Sequence, residues 1–389
     1  MNFDLTEEQR LLVDTVASFA KKQSPLTRLR ALRADPVGWT RDVWKQMGEL
    51  GLLGVSLPEA VGGAGGTFVD AALILEQLGA TLVPEPILPS LVAAAPILRL
   101  GTAAQQERWL APFAAGDASL ALAWAEAQSR GDVADVETRA ERDGDDYRLT
   151  GQKRFVLNGH AADFIVVSAR TAGAPRDREG LALFVLDRET PGLAVQPVKT
   201  MDGHHAAMIT LTGATVSADR LLGDHAGADG RAAFEALDEA MDVGAAGACA
   251  EGAGITRAVL HMTADYLRTR EQFGVKIGTF QALQHRAVDM FVETELCKSM
   301  AILAAIRATD PDAAERRAAI SASKVQLAVG GRYVTQQAIQ LHGGIGVTDE
   351  HDVGLYFKRM HVLNALFGDE EHHVARYGSL PSFTANLEA

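Results

Sequence analysis

From Tyr266 to His285 the chain reads Tyr266-Leu-Arg-Thr-Arg270-Glu-Gln272-Phe273-Gly274-Val-Lys-Ile-Gly-Thr-Phe280-Gln281-Ala-Leu-Gln-His285, gathering a guanidinium, side-chain amides and aromatic rings around one glycine bend. Such a mix suits a dinucleotide. Arg270 offers charge-assisted bidentate bonds to a pyrophosphate, Gln272 or Gln281 addresses polar edges, and Phe273 or Phe280 supplies an aromatic wall. The same residues also describe a plain corner between two helices that carries a surface arginine.

Three further groups bear on chemistry. Gln340-Leu-His-Gly343-Gly344-Ile-Gly346 closes a helical stretch with glycines whose backbone N–H groups could approach a phosphate or sugar, or that simply stop the helix. Gly244-Ala-Ala-Gly247-Ala-Cys-Ala-Glu251-Gly252-Ala-Gly254 is unusual inside a helix, since each glycine costs about 0.8 to 1 kcal/mol relative to alanine. Either another helix, the commoner cause, or a flat ligand must approach that backbone, and Glu251 is the carboxylate of this small-residue face. Late in the chain, Gly368-Asp369-Glu370-Glu371-His372-His373 reads as a solvated acidic turn that caps a helix. The pairs His372-His373 and His204-His205 lack metal-ligand spacing, so no metal is expected.

The elements that must position these groups follow from periodicity. Residues 1 to about 115 read as helical, with a capping box at Thr6 and Gln9, a second helix capped by Thr40 and ended by Gly51, and a third through Ala71 to Leu78. A proline-rich break falls at Pro84 to Pro89. Short strands then alternate with turns: a hairpin around Asp143-Gly-Asp-Asp146, and runs beginning at Phe164, Ala182 and Ala207. The loop Gly223 to Gly230 marks a return to helix over roughly 231 to 269, 283 to 308, and from the Asp310-Pro311 pair to Leu341. In that last helix Ile320, Leu327, Val334 and Leu341 form a seven-residue seam best read as core packing. The expected organisation is α+β: an N-terminal helical domain (1–117), a middle antiparallel β domain (118–228) and a C-terminal helical bundle (229–389).

Composition limits the function classes. A chain of 389 residues with 47% hydrophobic and 6% aromatic residues favours two or three mainly helical domains. The net charge of −13 argues against a nucleic-acid groove or an anionic membrane as partner, so a phosphate site must be made by local cations. Cys249 and Cys297 show no ligand spacing and fit a reduced compartment; with neither a leader nor an apolar run long enough to span a bilayer, a soluble cytoplasmic protein is expected.

Taken in order, Arg270-x-Gln272-Phe273-Gly274, Phe280-Gln281 and Gln340-x-x-Gly343-Gly344-x-Gly346, set in a helical–β–helical chain, resemble the acyl-CoA dehydrogenase family over essentially the whole length. The opening Phe3-Asp-Leu-Thr-Glu-Glu-Gln9, the central Gln128-Ser-Arg130 and the closing Leu366-Phe-Gly-Asp369 resemble the small-subunit type of pimeloyl-CoA dehydrogenases in particular. The resemblance implies a four-helix C-terminal domain and FAD, with its ring between the β and last helical domains of one subunit and its ADP half reached by a neighbour through Arg270, Gln272, Phe273, Phe280, Gln281, Gln340, Gly343 and Gly344. It also implies desaturation of an acyl-CoA thioester in fatty acid or dicarboxylic acid catabolism, where a carboxylate removes the α-proton while a hydride leaves the β-carbon. An electron-accepting flavoprotein and a second acyl-CoA dehydrogenase subunit, related or identical, are the implied partners.

Against the family pattern, Thr-Glu-Pro-x-Ala-Gly-Ser-Asp falls on Ala125-Glu126-Ala127-Gln128-Ser129-Arg130-Gly131-Asp132, so two hydroxyls are lost. The Trp-x-Thr that lies against the flavin falls on Phe155-Val156-Leu157, which keeps an aromatic and loses a hydroxyl. The family's late Glu falls near Asp369; the alternative position on the first long helix is Gly244, leaving Glu251, two turns on, as second candidate base. Three readings remain open: a catalytic subunit of a heteromer, a non-catalytic companion completing a partner's FAD site, and a self-sufficient homo-oligomer using Asp369.

Overall fold

The computed structural model describes residues 4–223, 231–381 and 383. Phe3 of the opening motif, most of the Gly223 to Gly230 loop and the boundary expected at 228 lie outside the described residues. In chain order the first helices are α1 (Glu7–Gln23), α2 (Leu26–Leu32), α3 (Arg41–Glu49), α4 (Phe68–Gly79), α5 (Ile87–Leu100) and α6 (Ala103–Ala114). Strands follow: β1 (Leu120–Ala123), β2 (Arg139–Asp143), β3 (Asp146–Leu157), β4 (Phe164–Arg170), β5 (Leu181–Asp187), β6 (Leu193–Lys199) and β7 (His205–Ser217). The remainder is α7 (Arg231–Thr269), the short strands β8 (Glu271–Gln272) and β9 (Val275–Lys276), then α8 (Gln281–Arg307), α9 (Ala313–Gln326), α10 (Arg332–His342), α11 (Val353–Ala365) and α12 (Glu370–Gly378). This is the helical, β, helical order expected from the sequence.

Local signals account for most boundaries. Thr6 and Gln9 form the reciprocal capping box, each side chain taking the other's backbone N–H at 3.2 Å. Thr40 holds the N-cap position of α3 but makes no side-chain cap bond there. The long helix expected after Asp310 starts instead at the N-cap Asp312, which accepts from Ala314 and Glu315 at 2.8 and 3.3 Å. It is then interrupted by a π turn over Leu327–Gly331. Gly330 and Gly331 permit that wide turn, because a Cβ on Gly330 would press on Cys297 Sγ and one on Gly331 would lie 2.6 Å from Met360 Sδ. Ile320, Leu327, Val334 and Leu341 are all buried, so the seam remains a core stripe through the irregularity.

Two compact units emerge, one from the described residues of Met1–Ala31, Phe68–Val83 and Ala245–Ala389, the other from Leu32–Thr67 and Pro84–Gly244. The first is helical. Here the glycine-rich segment of α7 has its explanation: a Cβ on Gly254 would strike the Glu76 carbonyl, one on Gly79 the Glu251 carbonyl, and one on Gly252 the Leu327 side chain. Backbone meets backbone where α4 crosses α7, as close helix packing requires. Arg257 clamps the crossing with bonds to Glu76 (2.7 Å) and Gln77 (2.9 Å).

The second unit carries a mixed sheet ordered β1-β4-β2-β3-β7-β6, with β5 also paired to β4. Most pairings are antiparallel as expected, but β1 and β2 each run parallel to β4. The long excursion from Ala123 to Phe164 provides the crossover that a parallel pair demands. One core cluster of the sheet gathers Ala121, Leu149, Ile165, Val167, Phe184 and Ile209. Trp44 of α3 is fully buried and ties that helix to the start of β1 through Nε1, which donates to the Ala118 carbonyl at 3.1 Å.

Candidate functional site

In the helical unit, α7 ends at Thr269 and the chain turns through the β8–β9 hairpin into α8. The hairpin's two turn residues, Phe273 and Gly274, both have left-handed backbone, at φ +57° and +76°. That conformation leaves Phe273 90% exposed, its ring edge-on to Phe280 at 6.2 Å. Arg270 is anchored by its backbone N–H to the Tyr266 carbonyl at 2.8 Å, while its exposed guanidinium has no partner among the described residues. Gln281 opens α8 behind Phe280, an N-cap without a side-chain cap, so the helix's first N–H groups and its positive dipole end are open to an anion. Gln272 is turned locally, donating to the Glu271 carbonyl at 2.7 Å.

The glycine turn after α10 joins this corner. Tyr266 stacks on His342 with ring centroids 4.5 Å apart, and Arg286 of α8 donates to Gln337 of α10 at 2.6 Å, which sets the two helix ends side by side. Gly343 takes φ +63° and ψ −143°, a conformation open essentially to glycine, and a Cβ on Gly343 or Gly344 would meet nothing within 4 Å. Gln340 is exposed, its amide without a partner among the described residues. Arg270, Phe273, Phe280, Gln281, Gln340, Gly343 and Gly344 therefore share one exposed corner of this unit.

The β unit holds the other group. Glu126 and Lys153 form a buried ion pair at 2.7 Å. Glu126 also accepts from the backbone of Glu137 (2.8 Å) and Thr138 (3.1 Å), and Lys153 donates to Ser168 Oγ at 2.9 Å. Burial alone would raise the Glu126 carboxyl, but the Lys153 ammonium and the hydrogen bonds hold it down at about 2; burial pulls Lys153 to about 8 against the pull of Glu126. Both are charged at neutral pH. The pair fastens the loop after β1 to β3, and next to it Phe155 stands 59% exposed on left-handed backbone at φ +49°.

Residues 6–117, 121–214 and 234–378 match, in turn, the N-terminal, middle and C-terminal domains of acyl-CoA dehydrogenases. Acyl-CoA dehydrogenase IpdE2 of Mycolicibacterium smegmatis is 31% identical over 96% of this chain and 98% of its own. The chain belongs to the acyl-CoA dehydrogenase family. Its fold matches that of a variant of the Tcur3481-Tcur3483 steroid ACAD, with a TM-score of 0.86 and 32% identity over 98% of this chain and 99% of that one. The ChsE4-ChsE5 complex of Mycobacterium tuberculosis is similar at 0.85 and 27%, covering 97% and 98%.

The cofactor of an acyl-CoA dehydrogenase is FAD. The helical corner fits the ADP part of such a group: an unpartnered guanidinium, an uncapped helix N-terminus, two aromatic edges and a bare glycine backbone are what a pyrophosphate and its nucleoside require.

The two carboxylates expected as candidate bases, Glu251 and Asp369, are both engaged within the fold. Glu251 is buried on α7 and accepts both arms of Arg359 on α11, at 2.5 and 2.9 Å. Asp369 is exposed and caps α12, accepting the His372 N–H at 2.9 Å. It follows a turn held from below by Lys324, a buried ammonium that donates to the carbonyls of Leu363 and Leu366 at 2.7 and 2.8 Å. Phe367 and Gly368 both take positive φ, +58° and +101°. Burial, with Lys324 and His372 beside it, drives the His373 imidazole down to about 3, so the ring is neutral; Nε2 donates to the Phe367 carbonyl at 3.0 Å. Any side chain at 368 would run into the rings of His372 and His373.

Sequence reading did not single out Lys324 or Arg359, and it weighed His373 only as a metal ligand. Lys324 had a signal: it lies four residues after Ile320 and three before Leu327, on the apolar seam, where a lysine survives only with buried acceptors. Arg359 had none, since its partner is 108 residues away. Among the described residues no three His, Cys, Asp or Glu side chains converge as metal ligands would.

Proposed function

We propose that this chain is one subunit of a heteromeric FAD-dependent acyl-CoA dehydrogenase, presenting its helical corner to the ADP half of an FAD whose ring is held by a related partner, which supplies the base. The carrying observation is a contrast: Arg270, Gln340, Gly343 and Gly344 stand open, whereas Glu251 is doubly bonded to Arg359 and Asp369 is engaged as a helix cap. A carboxylate held bidentately by a guanidinium has both oxygens engaged within the fold. When bound, FAD supplies the hydride acceptor for α,β-desaturation of the acyl thioester. On this reading Arg270 binds pyrophosphate, Gln272 and Gln281 address the nucleoside edges, and Phe273 and Phe280 wall it. Phe155 offers an aromatic face to the ring of a second FAD, seated at this chain's own β unit.

Support for a partner comes from α8, where Val288, Phe291, Val292 and Leu296 recur at helical spacing with exposures of 58, 53, 47 and 44%. A stripe of that size on a water-facing helix marks a contact surface. The two-component names of the Tcur3481-Tcur3483 and ChsE4-ChsE5 relatives agree with such an assembly, and the word steroid in the former makes bulky polycyclic acyl thioesters the first to screen.

The chain purified alone and together with its candidate partner decides the matter. Alone it should be colourless and inactive; co-purified, yellow and able to reduce an acceptor dye with an acyl-CoA. In the assembled enzyme Arg270→Ala should release FAD at least roughly tenfold more readily, by the usual weight of a charge-assisted phosphate contact, while Asp369→Asn should leave turnover unchanged. A yellow, active chain on its own whose turnover Asp369→Asn abolishes would instead establish the self-sufficient enzyme.

A further inference from the structure

The β3–β7 pairing slips by one residue at Phe155: Lys153 faces Ile209, but Val156 already faces Ala207, three steps on one strand against two on the other. That extra residue is a β-bulge. In a regular strand Arg154 and Phe155 would leave on opposite faces. Here Lys153 and Val156 are both buried, and Arg154 and Phe155 between them are both exposed, so a guanidinium and an aromatic ring stand side by side on one surface.

The platform beneath them is rigid. Lys153 is locked to Glu126 and Ser168, and the Arg154 backbone N–H donates to the Ala125 carbonyl at 2.8 Å. The Arg154 side chain itself has no partner among the described residues. Several other arginines of this unit pair with carboxylates: Arg41 with Asp163, Arg99 with Glu235, Arg108 with Asp219, Arg176 with Asp135 and Arg220 with Asp187. In a chain of net charge −13, a cation left unpaired beside an exposed ring, on left-handed backbone that costs free energy to hold, is placed for a ligand and not for the fold.

We infer that Arg154 is a positioning residue that tunes the FAD ring, its guanidinium favouring the negative charge that two-electron reduction places there. The inference rests on the reading that Phe155 faces that ring, in this chain's own β unit. Uptake of a hydride adds one negative charge to a neutral ring system, and a cation beside the ring would stabilise the charged form. Neither removal of the substrate proton nor retention of the ADP half depends on Arg154.

Four forms of the assembled, FAD-loaded enzyme separate the possibilities: parent, Arg154→Met, Arg154→Lys and Phe155→Ala. Arg154→Met should keep its FAD within about twofold of the parent, yet the equilibrium constant for reduction, read against a dye of known potential, should fall by about tenfold, about 30 mV for two electrons. Arg154→Lys should recover most of that loss, which a merely structural arginine would not require. Phe155→Ala should shift the visible flavin absorbance band. An unchanged band would remove Phe155 from the ring and this inference with it. A shifted band with an unmoved potential in Arg154→Met would overturn the role of Arg154 alone and leave the Phe155 reading standing.

Discussion

A single buried ion pair, Glu126 with Lys153, governs how the loop after β1 is presented. Glu126 satisfies an ammonium and two backbone N–H groups at once, and for that reason its carboxyl stays ionised down to about pH 2 in the folded chain against 4.5 in a free side chain. A carboxyl whose folded pKa is depressed contributes stability above about pH 4.5 and loses it as pH falls from there toward 2. The β unit should therefore soften over that window, and thermal melts at stepped pH should show a shallower decline for Glu126→Gln than for the parent. At pH 7 the same variant should be less stable by about 3 to 5 kcal/mol, because it strands a buried lysine. Equal acid slopes for the two proteins would mean that Glu126 carries no such linkage. In the chain 27 residues separate Glu126 from Lys153, and only the fold reveals that they are one device.

At the scale of elements, irregular joints decide what is presented to a ligand. Between α11 and α12 two consecutive positive-φ residues, a buried lysine and a neutral histidine fix one turn, and Asp369 leaves it with a single orientation. Lys324→Met should fill the space but leave the Leu363 and Leu366 carbonyls without a donor, a cost of about 1 to 3 kcal/mol for each group. Urea denaturation measures that loss, and stability equal to the parent would show that water replaces the ammonium. The capping box of α1 and the glycine stop after α10 were readable because each is made by residues within one turn of one another. The π turn and the β3 bulge were not. At each, the residues in contact come from another element: Cys297 lies against Gly330 and Met360 against Gly331, and β7 pairs with β3.

For the whole molecule, the apolar face of α8 is where assembly should be most easily broken. Phe291→Asp places a charge at the centre of the exposed stripe and should weaken association with the partner by about 2 kcal/mol or more, the scale of an interface aromatic. Helix content should not change, since the side chain is more than half exposed. Sedimentation of the mixed subunits is the measurement, and undiminished assembly would direct attention to another face. No helix among the described residues is long and apolar enough to cross a membrane.

Legible in the sequence are the order of helical and β regions, the family, and the Arg270 to Phe280 bend and the glycine stop at Gly343, each taken separately, since these depend on short-range periodicity and on motifs whose members lie close along the chain. That the bend and the stop lie side by side comes from the packing of Tyr266 on His342 and of α8 on α10. The pairing of Glu251 belongs to the folded arrangement alone. Whether Glu251 stands free or is gripped by Arg359 depends on what α11 brings alongside, whereas the cap that Asp369 makes with the His372 N–H is local. The partner that satisfies a buried carboxylate is a neighbour in space, and Arg359 lies 108 residues from Glu251 along the chain.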